Sequence, residues 1–150
     1  MSNDALRSRP TSSKIRGVRI FETPRHIDPR GLLIKPVAHP LVHGEIGVRK
    51  EFGEIYLVTA RRATVRGSHY HKTTTELFCV ISGRGRLRLS YGGVTEEHLM
   101  SAETPVTILV PPLVHHSIIG DSDGEMIMLA YADRPYLPDD TDTFTGEVTS

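Results

Sequence analysis

The 150-residue chain has little of what would mark it for a disulfide framework, a membrane or a nucleic acid. Its single cysteine, Cys79, cannot form an intrachain disulfide. That residue lies in the apolar run LFCVI with no base placed to activate it, so a small buried hydrophobe is expected rather than a nucleophile. Charge is balanced, 18 Lys and Arg against 18 Asp and Glu, with no long basic run. A nucleic-acid footprint and a membrane-surface footprint are thereby both excluded, and a small polar molecule is the expected ligand. No apolar run approaches the ~20 residues of a membrane span. The opening MSNDALRSRPTSS lacks the apolar centre of a secretory signal, so a cytoplasmic location is expected. No stretch of a dozen residues holds a clean helical period, which removes helix bundles and parallel sheets with helical crossovers.

What remains is a succession of short apolar runs broken by Gly, Pro, Asn and Asp, the pattern of strands and turns. Candidate strands are Val18–Phe21, Leu32–Val37, Glu54–Thr59, Thr64–His71, Glu76–Ser82, Arg84–Tyr91, Glu96–Met100, Val106–Val110, Val114–Ile119 and Met126–Ala132. Strands so closely spaced predict an all-β antiparallel sandwich or barrel in one domain. Residues 1–14 read as a flexible arm, 15–140 as the domain and 141–150 as an acidic tail. Arg84, Arg86 and Arg88 alternate with Gly85, Leu87 and Leu89, giving that strand a solvated face and an inward one.

The chemistry concentrates in RGSHYHKTTTELFCVISG, residues 66–83. His69 and His71 are two apart, so a strand puts both imidazoles on one face. A turn over Lys72–Thr75 is expected to form a hairpin and return Glu76 beside them. Such a cluster can hold a metal, take a proton or pack. Arg66 would point away from the histidines on a regular strand unless Gly67 introduces a bulge.

The run His69, His71, Glu76, Gly83 fits HxHxxxxExxxxxxG, and PPLVHHSI follows with His115 and His116 behind Pro111. Together these segments resemble the two motifs of the cupin superfamily, which implies a jelly-roll barrel, the double-stranded β-helix. Counting from Pro111, the resemblance puts the last ligand on His116 and turns His115 to the other face. Three glycine or asparagine positions of those motifs are filled here by Ala63, Leu113 and Gly120. The implied ligand set is His69, His71, Glu76 and His116, three imidazoles and a carboxylate suited to one divalent ion. Zinc is the first choice, and Fe, Mn, Co or Ni are compatible.

IDPRGLL and VRGSHYHK resemble the DxRG and RGxH motifs of cupins that epimerise or isomerise 4-keto nucleotide sugars. By that match His69 is the catalytic base, Tyr131 in MLAYADRPYLP the catalytic tyrosine, and Arg30 a diphosphate contact, with Arg66 a second substrate-binding candidate. RGxHxHxxxxExF, PxLxxHS and the ending PDDTDTF are similar to the C-terminal metal-binding cupin domain of capsular-polysaccharide reductase-epimerases. That likeness implies a 4-keto-6-deoxy nucleotide-sugar substrate, a homodimer, and a separate reductase acting on the product. Two implied roles for His69 collide, because a metal-bound imidazole has no lone pair left to act as a base. Glu76 tips the balance toward a metal. The competing readings are a metal-dependent dioxygenase, with the same ligands holding iron, and a non-catalytic sugar-binding cupin.

Overall fold

The computed structural model describes residues 12–23, 25–37 and 53–146. The described residues contain twelve strands and no helix. They are β1 (Arg19–Glu22), β2 (Arg25–Asp28), β3 (Gly31–Ile34), β4 (Glu54–Ala60), β5 (Val65–His71) and β6 (Glu76–Ser82). The others are β7 (Arg84–Tyr91), β8 (Val94–Ser101), β9 (Val106–Val110), β10 (His115–Gly120), β11 (Met126–Ala132) and β12 (Thr143–Thr145). The all-β expectation holds. Two short strands had no strong signature: β2, in the polar run RHID, and β12, inside the segment expected as an acidic tail.

Two five-stranded sheets face each other, ordered β1-β9-β6-β11-β4 and β12-β5-β10-β7-β8, and β2 and β3 form a separate hairpin. The strand pairs are antiparallel and nested: β7 with β8, β6 with β9, β5 with β10, β4 with β11. That nesting is a long hairpin wound on itself, the jelly-roll solution to closing a sheet without long crossovers. Gly83 is the residue at which the chain leaves β6 and enters the other sheet. Its φ of 73° and a Ser122 Oγ lying 2.6 Å from any added Cβ both require glycine.

The core fills the space between the sheets with alternate residues of each strand. Phe78, Val80, Met126, Met128 and Ala130 come from one sheet; Leu87, Leu89, Met100 and Ile118 come from the other. Ile15 and Val18 join them from the N-terminal side. On the outer face of β7, Arg86 and Arg88 pair with Glu97 of β8, as the solvated-face reading expects.

The Lys72–Thr75 turn is not a hairpin, which corrects the sequence expectation. Since β5 and β6 belong to opposite sheets, the turn crosses the barrel and Glu76 faces the histidines from the other wall. The register shift in β5 opposite His116 and Ser117, with positive φ at Gly67 and Ser68, is the bulge on which Arg66 depended.

Ala63 and Leu113, which stand where the cupin motifs carry glycine, have φ of 60° and 72°. The backbone keeps the left-handed turn although the side chain disfavours it. Replacing either residue by glycine should raise unfolding free energy by about 0.5–1 kcal/mol, the left-handed penalty of roughly 1–2 kcal/mol less the extra chain entropy of glycine. Denaturant unfolding of Leu113→Gly and Ala63→Gly checks this, and equal or lower stability in both would show that the turns carry no strain.

Candidate functional site

At one end of the core the apolar filling gives way to four polar side chains. His69 and His71 come from β5, His116 from β10, and Glu76 reaches across from β6. His116 follows the inward alternation of Ile118, and its register partner on β5 is His69. One ligand atom from each of the four residues lies within 4.8 Å of all the others. Glu76 and His116 are buried, 3% and 2% exposed, while His69 and His71 are half-buried at the mouth.

Glu76 Oε2 lies 3.2 Å from His71 Nε2 and 3.0 Å from His116 Nε2. Those three atoms are nonetheless buried without a properly formed hydrogen bond. Meanwhile the far nitrogens of both rings are engaged: His116 Nδ1 with the Val114 carbonyl at 3.1 Å and His71 Nδ1 with Thr143 Oγ1 at 3.2 Å. A carbonyl can only accept, so His116 Nδ1 carries the proton and Nε2 presents its lone pair to the centre. A buried lone pair converging on a buried carboxylate oxygen is the arrangement that a cation completes. The donors therefore fit a divalent metal, and this His/Glu cluster could hold one.

The electrostatics agree. Burial alone would raise the Glu76 carboxyl, but contacts from His116 and His71 hold it well below the usual carboxylate range. His71 is opposed by burial but is raised above an ordinary imidazole by Glu76, with Asp142 and Asp140 adding to the effect. His69 is pushed down to about 4, first by burial and then by the neighbouring His116 and His71. It is neutral at pH 7.

Among the described residues, two cavities open onto the cluster. A cavity of about 860 Å³ is lined by His69, His71, Glu76 and Tyr56 together with the 132–143 segment. A smaller one of about 280 Å³ reaches His69 and His116 past Arg66. The bulge thus brings Arg66 to the same side as His69, where its Nε donates to the Thr59 carbonyl at 3.0 Å.

Tyr131 is a correction. Met126, Met128 and Ala130 of β11 face the core, so Tyr131 lies on the opposite face of the sheet, packed with Leu77 and Leu109 and lining neither cavity. The tyrosine at the site is Tyr56, whose hydroxyl donates to Glu76 Oε1 at 2.6 Å. Burial first, then Glu76, pushes its phenol pKa far up, so it stays protonated. No sequence signal distinguished it, because EIYLVTA is apolar on both faces.

Arg30 sits in the β2–β3 turn, exposed, paired with Asp28 at 2.5 Å, and lines neither cavity of its own chain. Tyr70 turns away from the histidines and stacks on Phe144, ring centroids 5.5 Å apart. Cys79 is buried and its thiol is pushed up to about 11 by burial, consistent with an inert packing residue. His43 lies outside the described residues.

Residues 26–144 match the family described as the polysaccharide biosynthesis C-terminal domain. Among curated relatives, the UDP-2-acetamido-2,6-beta-L-arabino-hexul-4-ose reductase of Pseudomonas aeruginosa is 25% identical over 130 residues, 85% of this chain. The chain spans only 32% of that relative's length. The fold is shared with NovW, a 4-keto-6-deoxy sugar epimerase of Streptomyces spheroides, at a TM-score of 0.76 and 18% identity over 91% of this chain and 71% of NovW. It is also shared with QdtA, a sugar 3,4-ketoisomerase of Thermoanaerobacterium thermosaccharolyticum, at a TM-score of 0.70 and 20% identity over 88% and 90% of the two chains. The jelly-roll barrel is thus a fold that this chain shares with those two proteins.

Metal binding should displace the proton that His71 holds. In the metal-free protein that proton contributes stability fully present below about pH 6.5 and lost as pH rises through the higher folded value. Calorimetric titration with zinc should therefore release protons, and affinity should weaken as pH falls from 8 to about 6. Glu76→Gln, which keeps the shape but not the charge, should lower affinity by about 100-fold or more. PH-independent affinity with no loss in the variant would rule out the cluster as the binding site.

Proposed function

The chain belongs to the polysaccharide biosynthesis C-terminal domain family, and on that premise we propose that it is a metal-binding cupin that epimerises or isomerises a 4-keto-6-deoxy nucleotide sugar. The observation carrying this is the convergence of His71 Nε2, Glu76 Oε2 and His116 Nε2, buried and unsatisfied, at the floor of a cavity where the neutral His69 is half exposed. The carbon next to a ketone loses a proton readily only if the developing negative charge on the carbonyl oxygen is stabilised. A zinc ion held by His71, Glu76 and His116 would supply that Lewis-acid stabilisation.

The remaining roles belong to this chain's own side chains. His69 lines both cavities, is neutral at pH 7 and carries the ring lone pair that can take the α-proton. Assigning it to proton transfer rather than to the metal resolves the collision of roles. It also matches the set of unsatisfied buried nitrogens, which includes His71 and His116 but not His69. Returning the proton to the same carbon from the other face gives an epimer; moving it between oxygen and carbon along the enediol shifts the ketone. Tyr56 keeps Glu76 oriented through its hydroxyl and stands in the cavity wall within reach of a sugar. Arg66, at the smaller opening, offers a guanidinium suited to a diphosphate.

A homodimer is part of the proposal, supported by exposed apolar residues on the β2–β3 hairpin (Ile27, Leu32, Leu33) and on β4 (Ile55, Leu57). Arg30 would then serve a neighbour's cavity rather than its own. No helix among the described residues is long and apolar enough to cross a membrane, and nucleotide-sugar chemistry suits a cytoplasmic location. A reductase is the proposed consumer of the product, since a rearranged 4-keto sugar still carries its ketone.

Incubation of the zinc-loaded protein with nucleotide 4-keto-6-deoxy sugars in deuterated water should place deuterium on the carbon beside the carbonyl. His69→Asn should abolish that label while retaining zinc; loss of the zinc in that variant would make His69 a ligand instead. Tyr56→Phe should slow turnover by about 10-fold or more, whereas Tyr131→Phe should leave it within about twofold and cost stability of ~1 kcal/mol. Absence of label from every such sugar, or oxygen uptake dependent on ferrous iron, would overturn the reading.

A further inference from the structure

The chain after β11 leaves the barrel as a loop whose two ends are both fastened to the turn between β5 and β6. At one end the Asp133 carboxylate accepts from the Thr75 amide at 3.0 Å, and the Asp133 amide donates to the Thr75 carbonyl at 3.0 Å. At the other, Asp142 Oδ1 accepts from the Lys72 and Thr73 amides at 3.1 and 2.8 Å and from the Thr73 hydroxyl at 2.8 Å. Its Oδ2 accepts from the Thr74 amide at 3.1 Å and the Thr74 hydroxyl at 2.5 Å. Beyond this latch β12 pairs with β5, and Phe144 stacks on Tyr70 with the Lys72 ammonium 4.1 Å from its ring centroid. Anchors on one turn close residues 134–141 into a compact loop, and Pro135 and Pro138 narrow the conformations open to its tip.

That loop forms one wall of the larger cavity. Tyr136 and Leu137 line it while 64% and 57% exposed. Large apolar side chains on a fastened loop beside a cavity are surface for a ligand to cover. Charge decides which part of the ligand covers them. Along this cavity Glu54, Asp133, Asp139, Asp140 and Asp142 outnumber Arg134, so a diphosphate is repelled here, whereas Arg66 attracts it to the smaller opening. His69 lines both cavities. A substrate with its reacting carbon at His69 thus keeps its diphosphate on the Arg66 side and extends the rest of its sugar toward the loop. We propose that the 134–141 loop is the sugar-recognising wall of the site. Tyr136 and Leu137 cover the apolar edge of the sugar and its 6-methyl group, and Asp142 is the positioning residue that holds the loop over them. The ligand class comes from the proposed reaction, on which this inference rests, but the placement of the sugar is read from binding alone.

Binding is measured on the full chain with free UDP and dTDP and with each linked to a 4-keto-6-deoxyhexose. The chain has no tryptophan, so Tyr136→Trp provides a single indole on the loop. Its fluorescence should change when either nucleotide sugar binds and stay unchanged with free UDP or dTDP, whose binding is followed by calorimetry. Tyr136→Ala, at an exposed position, should weaken the nucleotide sugar by about 10-fold or more and the free nucleotide by less than about twofold. Asp142→Ala should show the same split, and Asp142→Asn, which keeps one acceptor oxygen, should fall between it and the wild type. Should Asp142→Ala fail to fold, Tyr136→Ala decides. A fluorescence response to free UDP or dTDP, or an equal loss for free and sugar-linked nucleotide in Tyr136→Ala, overturns this inference and leaves the proposed reaction standing. The expected split without any incorporation of deuterium supports the inference and sinks the reaction. Failure of all four compounds to bind the wild type overturns both.

Discussion

A carboxylate 3% exposed in the core of a small barrel is the constraint on which the rest of this structure depends. Burying such a charge costs several kcal/mol unless hydrogen bonds and an opposite charge offset it. Glu76 has one strong bond, from Tyr56 to Oε1, and its other oxygen faces two imidazole nitrogens. The offset therefore requires a positive charge between Oε2 and those rings, supplied by a proton on histidine or by a metal. Because Glu76 comes from one sheet and the histidines from the other, whatever satisfies the carboxylate also clamps the two walls at the open end of the barrel.

The backbone is bent to serve that clamp. Leu113 holds a left-handed turn, and its amide donates to the His71 carbonyl at 2.6 Å, so the turn before β10 is locked onto the strand that carries His69 and His71. Ala63 holds a second left-handed turn just before β5, with its amide bonded to the Gly120 carbonyl at the end of β10. Gly67 and Ser68 form the bulge between them. Strain in all three places is concentrated on β5 and β10, the strands that set the positions of the imidazoles, in keeping with its use to aim side chains.

The cluster of His69, His71, Glu76 and His116 was legible because its signal is geometric at the level of a few residues: two histidines two apart share a face of any strand, and His116 shares its inward alternation with Ile118. What surrounds the ligands was not. Glu76 was the right residue reached by the wrong path, since a four-residue turn reads equally as a hairpin or as a crossing between sheets. Tyr131 and Tyr56 lie on β11 and β4, both apolar on both faces: one face meets the core, while the other packs Tyr131 against Leu77 and Leu109 on β11 and leaves Ile55 and Leu57 exposed on β4. Alternation in such strands says which residues share a face and not which face is inward. The short β12 escaped notice because TDTF, in an acidic run, carries no apolar period; its place is fixed by Asp142 and by the Tyr70–Phe144 stack, both of which are tertiary.

The arginines show how environment sorts residues of one type. Arg86 and Arg88 share the carboxylate of Glu97, Arg62 meets Asp123, and Arg30 meets Asp28, each on the surface, where such pairs contribute little to stability. Arg66 differs in its partner, a backbone carbonyl on the neighbouring β4. A carbonyl orients a guanidinium without neutralising it, so the positive charge is held in place at the smaller opening, beside aliphatic Leu57, Val58 and Ile118. The larger opening is lined by Glu54, Asp133, Asp139, Asp140 and Asp142 against one cation, Arg134, so carboxylates outnumber it there. An anion approaching the cluster is therefore opposed on one side and attracted on the other. The bulge at Gly67 and Ser68 produces that asymmetry, since without it Arg66 would face away from His69.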